Sequence, residues 1–130
     1  MTPTERLREQ HARAIVTLGE VSCAVSAYRA VGDDALLEFA RMCAAQQRMI
    51  GAAAAVIAGE IARRSAASLG SAGLAQRTGH RTAEDLVRAT TGQTGRESAS
   101  SIHIGRLTQE AADLGTLDPE TGLPVVCPHP

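Results

Sequence analysis

The side chains that could act as nucleophiles or general bases are scattered along this chain. A hydrolase needs a nucleophile, a base and an orienting acid that the fold brings together. The serines and histidines show no such grouping, and no G-x-S-x-G segment is present. We therefore expect no enzymatic activity and no catalytic residue. The four histidines each stand alone in the sequence, at His11, His80, His103 and His129.

Metal-ligating side chains are also dispersed. A zinc site requires Cys, His or acidic residues clustered at short spacing, and the closest Cys and His are Cys127 and His129. No C-x-x-C occurs, and the other cysteines, Cys23 and Cys43, lie far from each other. Neither a zinc site nor a disulfide framework is indicated. We predict no metal and no cofactor, and unpaired cysteines fit a reducing cytoplasm.

Paired carboxylates and glycine-rich turns have simple structural explanations in this sequence. Glu84 and Asp85 follow Thr82, where acidic residues commonly stabilise the start of a helix. The glycines between residues 70 and 79 do not follow a predicted strand and lack the lysine of a phosphate-binding loop. No small-molecule substrate is therefore indicated.

Arginine is the one residue type whose distribution along the chain indicates a binding partner. All 13 basic residues are arginine, and the formal net charge is -1. Residues 62–106 carry seven arginines against three acidic residues, whereas residues 107–130 carry four acidic residues and no arginine. A helix, a glycine-containing turn and a second helix are predicted over 82–114, in the outline of a helix-turn-helix. This pattern is the basis for a weak DNA-binding surface formed by Arg63, Arg64, Arg77, Arg81, Arg88, Arg96 and Arg106.

Two apolar stripes determine the architecture that would position these arginines. Each stripe advances by alternating steps of four and three residues, the heptad spacing of a coiled-coil seam. The short Gly-Asp turn between the stripes predicts that the two helices form an antiparallel hairpin. The stripes are Leu7, His11, Ala14, Leu18, Val21, Val25 and Tyr28, then Leu36, Ala40, Cys43, Gln47, Ile50, Ala54, Ile57 and Ile61.

The helix bounds follow from capping signals. Thr2 begins a T-x-x-E capping box, and the first helix is predicted to run to about Ala30. The second helix is predicted from Asp33 or Asp34 to about Ser65. Its longest apolar run is about half as long as a membrane span needs, and the polar N-terminus does not resemble a signal peptide. We therefore expect no membrane partner and a cytoplasmic location.

Shorter helices are predicted after a Ser- and Gly-containing linker. Glycine stops and a second T-x-x-E box at Thr94 indicate three of them, over 72–78, 82–91 and 95–114. Beyond them, Gly, Pro and acidic residues predict an extended or disordered C-terminal tail. The predicted fold class is all-α, with a long, coiled-coil-like antiparallel helical hairpin at 1–66, a small three-helix satellite at 67–114 and a flexible tail at 115–130.

Several segments resemble a known family. They are IAGEIARR at 57–64, GLAQRTG at 73–79, AEDLV at 83–87, TGQTGRESA at 91–99 and IGRL at 104–107. Together they resemble the N-terminal helical domain of unknown function in actinobacterial proteins with an HNH-endonuclease signature, the thirteen-E-twelve repeat family. Ser98, Ser101 and His103 stand where that family more usually has Ala, an aliphatic residue and Arg. In the family the HNH module follows much farther along, and no residue of this sequence matches the HNH motif.

The resemblance and the helical pattern together predict a non-catalytic helical interaction domain. The alternative is a weak DNA-binding module that uses the arginine-rich region 62–106. We also predict a homo-oligomer formed through the helical hairpin, because a two-helix hairpin buries little apolar surface by itself. Ile15, Val16 and Val56 lie beside the seam and widen its apolar face.

Overall fold

A computed structural model describes residues 1–125, and Cys127 and His129 lie outside the described residues. Helices account for most of this range. Their bounds are α1 (Pro3–Gly19), α2 (Val25–Arg29), α3 (Asp33–Arg64), a 3-10 segment (Ala67–Ala72), α4 (Leu74–Arg77), α5 (Ala83–Thr91) and α6 (Gly95–Asp113).

The all-α prediction is confirmed for residues 1–125, where β-structure is limited to one isolated bridge near residue 117. The helix starts match their sequence signals. The Thr2 hydroxyl accepts a hydrogen bond from the Glu5 N–H, and the Glu5 carboxylate accepts one from the Thr2 N–H, which completes the predicted capping box. The hydroxyls of Thr82 and Thr94 cap α5 and α6 in the same way, each accepting from the N–H three residues on.

The first helix is shorter than predicted. α1 ends at Gly19 and helical structure resumes at Val25, whereas one helix was predicted to about Ala30. Residues 20–24 leave the helix because Val, Ser and Cys are weaker helix formers than Ala. The Ser22 hydroxyl also accepts a hydrogen bond from the Ala24 N–H, which favours a turn. The first apolar stripe is therefore divided between two helices, and the prediction of one continuous hairpin arm is corrected.

The described chain divides into two compact units, residues 1–44 and residues 45–125. Within residues 1–44 no residue is buried. The rings of Tyr28 and Phe39 meet edge to face there, with centroids 6.4 Å apart. α3 begins and ends where the sequence predicted and continues through the division between the units. The second half of α3 supplies buried residues to the core of the second unit.

The core of residues 45–125 is built from small side chains on α3 and larger ones on α5 and α6. α4 joins this unit through its start, where the Ala75 N–H donates to the Ser65 hydroxyl at 3.1 Å. Gly92 ends α5 with φ 76°, a left-handed conformation that favours glycine, as the predicted glycine stop requires. The buried cluster consists of Ala58, Ala62, Ala83, Val87 and Ile102, with Ile61 packed against it.

The described part of the predicted extended tail folds back on itself. The Asp118 N–H donates to the Leu123 carbonyl at 2.9 Å, and the Val125 N–H donates to the Thr116 carbonyl at 3.0 Å. Gly122 has a φ of 71°, which lets the chain reverse between these two bonds. Residues 116–125 therefore form a closed turn rather than an extended strand, because glycine and proline here act as turn residues.

Candidate interaction surfaces

Two different stripes run along α3, and the first consists of small residues that contact α6. Ala55, Ala58, Gly59 and Ala62 are buried. A Cβ atom placed on Gly105 of α6 would lie 2.1 Å from the Ala55 carbonyl oxygen and 2.7 Å from the Gly59 Cα. The two helix backbones therefore touch, and glycine is required at the crossing because any side chain would collide with backbone atoms.

The residues around this crossing seal the core. Ile102 of α6 is 1% exposed and Val87 of α5 is 2% exposed. Ser98, one turn before Ile102 on α6, is fully buried, and its hydroxyl has no hydrogen-bond partner in the described chain. A buried hydroxyl without a partner costs free energy. Ser98 therefore occupies a site suited to Ala.

The second stripe of α3 is the predicted apolar seam, and it is exposed. Leu36 is 44% exposed, and Ile50 and Ile57 are each 47% exposed. Of the eight seam positions, only Ile61 is partly buried. At 3.6 residues per turn, the seam lies about 120° around the helix from the buried small-residue stripe. The helices that pack on the small residues therefore leave the seam uncovered.

A carboxylate beside the crossing gathers three partners. Glu60 forms ion pairs with Arg63 and with Arg64, the latter at 2.9 Å, and its other oxygen accepts from the Gln109 amide of α6 at 3.2 Å. Hydrogen bonds from Arg63, followed by those from Arg64, lower the pKa of Glu60 to about 2, although burial opposes the shift. Glu60 therefore stays ionised and connects α3 to α6.

The seven arginines predicted to contact DNA fall into two groups. Arg63 and Arg64 are brought together by Glu60, and the Arg77 guanidinium donates to the Ala72 carbonyl at 3.0 Å. The other four are exposed, and none forms an ion pair with a residue in 1–125. They are Arg81, Arg88, Arg96 and Arg106.

These four arginines are spread over residues 81–106, and Arg81 precedes α5 rather than lying on a helix. Arg88 lies on α5 and its side chain passes beside Gly95, the first residue of α6. Arg96 and Arg106 are both on α6, ten residues and about 15 Å apart along its axis. The arginines thus form a dispersed basic surface, and no two of them converge on one carboxylate or one pocket as Arg63 and Arg64 do.

Within residues 1–125, no three His, Cys, Asp or Glu side chains come close enough together to hold a metal ion. No helix in that range is both long and apolar enough to cross a membrane. Cys23 and Cys43 are free and exposed, and Cys43 lies on the seam of α3.

Sequence reasoning missed the small-residue stripe and its glycine crossing. The signal was present, because Ala55 and Gly59 are four residues apart and so are Ala58 and Ala62. Spacing of small residues by four allows close helix approach, a pattern best known from membrane helices. In an alanine-rich helix, however, many positions fit that spacing, and the larger seam residues dominate the periodicity.

Comparison with other proteins provides no family assignment. No protein-family model, no curated protein and no solved structure matches this chain significantly.

Proposed function

We propose that this protein is a non-catalytic helical interaction domain whose binding surface is the seam of α3. One observation supports the proposal: α3 uses its small residues for its own core and leaves the seam exposed from Leu36 to Ile57. Isolated apolar residues are common on protein surfaces, but a contiguous apolar face usually marks an interaction site. Heptad spacing is suited to another helix rather than to an irregular ligand.

The resemblance to the N-terminal region of HNH-endonuclease-signature proteins supports this proposal. Two of the resembling segments, at 57–64 and 104–107, contain Gly59 and Gly105. These two glycines make the backbone contact between α3 and α6. The resembling residues thus include those that hold the satellite helices beside the seam, which is a structural role and not a catalytic one.

The predicted helical hairpin supplies the competing explanation for the seam. In that arrangement residues 1–30 would lie along α3 and cover it. The interruption at residues 20–24 divides the matching stripe into α1 and a five-residue α2. Because a continuous seam pairs best with a continuous helix, we infer that the partner for α3 comes from another chain.

A stability measurement tests whether the seam is free. The double variant Ile50→Glu/Ile57→Glu is unfolded in urea at low protein concentration and compared with the parent. If the seam is uncovered in the monomer, the free energy of unfolding should change by about 0.5 kcal/mol or less. A matched control, Ile102→Glu, buries a charge and should prevent folding. A loss of several kcal/mol in the seam variant would show that the chain covers its own seam, and the proposal would fail.

The second candidate function is weak DNA binding, and it is favoured by the four exposed, unpaired arginines of residues 81–106. We expect their contacts to be mainly with phosphates, because arginines dispersed over an exposed surface supply positive charge along a DNA backbone. Such binding releases counterions and weakens steeply as salt rises. The DNA-binding candidate therefore predicts a specific salt dependence.

A fluorescence-anisotropy titration of a labelled duplex tests this candidate. Arg88→Ala/Arg96→Ala should weaken binding and reduce its salt dependence. The control variant Arg6→Ala/Arg8→Ala removes two exposed arginines from α1 and should leave binding unchanged. Equal losses in both variants would indicate nonspecific attraction, and no binding at low salt would exclude the DNA-binding candidate.

A further inference from the structure

We propose that the partner of the α3 seam is α3 of a second copy of this chain, paired antiparallel about a two-fold axis level with residues 48 and 49. This inference rests on the proposed function and names its partner. It follows from three features of α3: the order of its seam residues, the charges at its two ends and its length.

The seam is self-complementary when α3 is reversed. In an antiparallel helix pair, positions equidistant from the helix centre face each other, and here every such pair combines the two kinds of heptad seam position, a and d. Leu36 faces Ile61 and Ala40 faces Ile57, so apolar side chains oppose apolar ones. Gln47 faces Ile50 nearest the axis.

The charges at the helix ends also match in this arrangement. Asp33 and Asp34 occupy the first turn of α3, and Arg63 and Arg64 occupy its last turn. In the antiparallel pair, the acidic turn of one copy lies opposite the basic turn of the other. Both arginine side chains are more than 60% exposed, so each guanidinium can donate to a second carboxylate besides that of Glu60. A parallel pair would instead place acids beside acids and arginines beside arginines.

The length of α3 is sufficient for a stable pair. Its 32 residues extend about 48 Å and contain just over four heptads, enough to sustain a coiled coil. α1, with 17 residues, is about half as long and cannot cover the whole seam. Among the helices of residues 1–125, only α3 itself is long enough to match the seam along its whole length.

Sedimentation equilibrium across a wide concentration range tests the self-association. The parent should be a dimer at high micromolar concentration, and Ile50→Glu/Ile57→Glu should weaken dimerisation by more than about a hundredfold, because four buried isoleucines per dimer are replaced by charges. The control Met49→Glu places a charge at a 74% exposed position outside the seam and should dimerise as the parent does. A monomeric parent whose stability is unaffected by the seam substitutions would overturn the self-pairing but leave the interaction domain standing.

A cross-linking experiment tests the orientation. In the antiparallel pair Cys43 faces position 54, whereas in a parallel pair it faces Cys43 of the other copy. In a background with Cys23→Ser and Cys127→Ser, mild oxidation should cross-link the Ala54→Cys variant into a covalent dimer. The same background with Cys43 alone should stay uncross-linked, because its two thiols would lie about 16 Å apart. A covalent dimer formed through Cys43 alone would overturn the antiparallel arrangement.

Discussion

Residues 45–125 and residues 1–44 are equally helical but differ in what their helices bury. Every buried residue of the range 1–125 lies in the second region, and residues 1–44 have none. The difference comes from the size of the residues at the contact. In the second region, glycine and alanine allow backbones to touch and larger side chains close the remaining space. In the first, apolar side chains such as Ile15, which is 71% exposed, have nothing packed over them.

This comparison shows that helix formation and helix packing are separate problems. The Thr2 capping box begins α1. It does not make the isolated helix stable, because most helical stability in proteins comes from burial of an apolar face. Four matched pairs of substitutions test this difference between the two regions and the contacts that cause it.

The largest contrast is expected between a core residue and an exposed one of the same type. Ile102→Ala should lower the free energy of unfolding by about 3 to 4 kcal/mol, because it removes buried methyl groups and leaves a cavity. Ile15→Ala in α1 should change it by less than about 0.5 kcal/mol. Urea unfolding followed by circular dichroism measures both. Similar losses from the two variants would mean that residues 1–44 are packed as tightly as the second region.

The next comparison is between Gly105, which packs against α3, and Gly51, which lies on α3. Gly105→Ala places a methyl group against the Ala55 carbonyl oxygen and should destabilise the fold by about 2 to 3 kcal/mol. Gly51→Ala meets nothing within 4 Å of the new Cβ. It should stabilise the protein by about 0.5 to 1 kcal/mol, because alanine favours the helix. Thermal unfolding of both variants gives the comparison, and a tolerated Gly105→Ala would disprove the backbone contact.

A smaller change, an increase in stability, is expected when the buried Ser98 is replaced. Ser98→Ala removes a hydroxyl that has no hydrogen-bond partner in residues 1–125 and should stabilise the protein by about 1 kcal/mol. The control Ser100→Ala, at an exposed position of the same helix, should have an effect only through helix propensity, about 0.5 kcal/mol. A lower melting temperature for Ser98→Ala would show that this hydroxyl is bonded after all.

The smallest effect is pH-dependent and belongs to Glu60. Its pKa in the folded chain is about 2, below the ordinary value of 4.5. The stabilisation is therefore complete above about pH 4.5 and is lost as the pH falls towards 2. Because both arginine partners are largely exposed, we expect about 1 kcal/mol or less at neutral pH. Glu60→Gln should remove this part of the acid dependence, measured as urea midpoints from pH 2 to 7, whereas Glu110→Gln should leave it unchanged.

Much of the fold was predictable because it depends on local interactions. The threonine caps, the glycine stops and the bounds of α3 each involve residues within one turn of each other. Predictions failed where the local structure depends on small differences in helix propensity or on hydrogen bonds between residues that are distant in the sequence. The interruption at residues 20–24 reflects a few weak helix formers and one serine hydrogen bond, and the turn at 116–125 depends on bonds between residues up to nine positions apart.

The candidate surfaces show the same division. The arginine composition of residues 62–106 could be read directly, and so could the spacing of Glu60 to Arg63 and Arg64, three and four residues along one helix. The sequence could not show that Gln109, which lies 49 residues from Glu60 along the chain, also donates to this carboxylate.

By itself, the sequence determined that this protein is helical, where α3 begins and ends, and that α3 carries a heptad seam. Only the tertiary structure decided which face of α3 is buried. Periodicity shows that a helix has an apolar side, and in α3 two stripes compete for the core. The small-residue stripe is the buried one because Gly59 and Gly105 let two backbones touch, and that fit depends on residues brought together from distant parts of the chain.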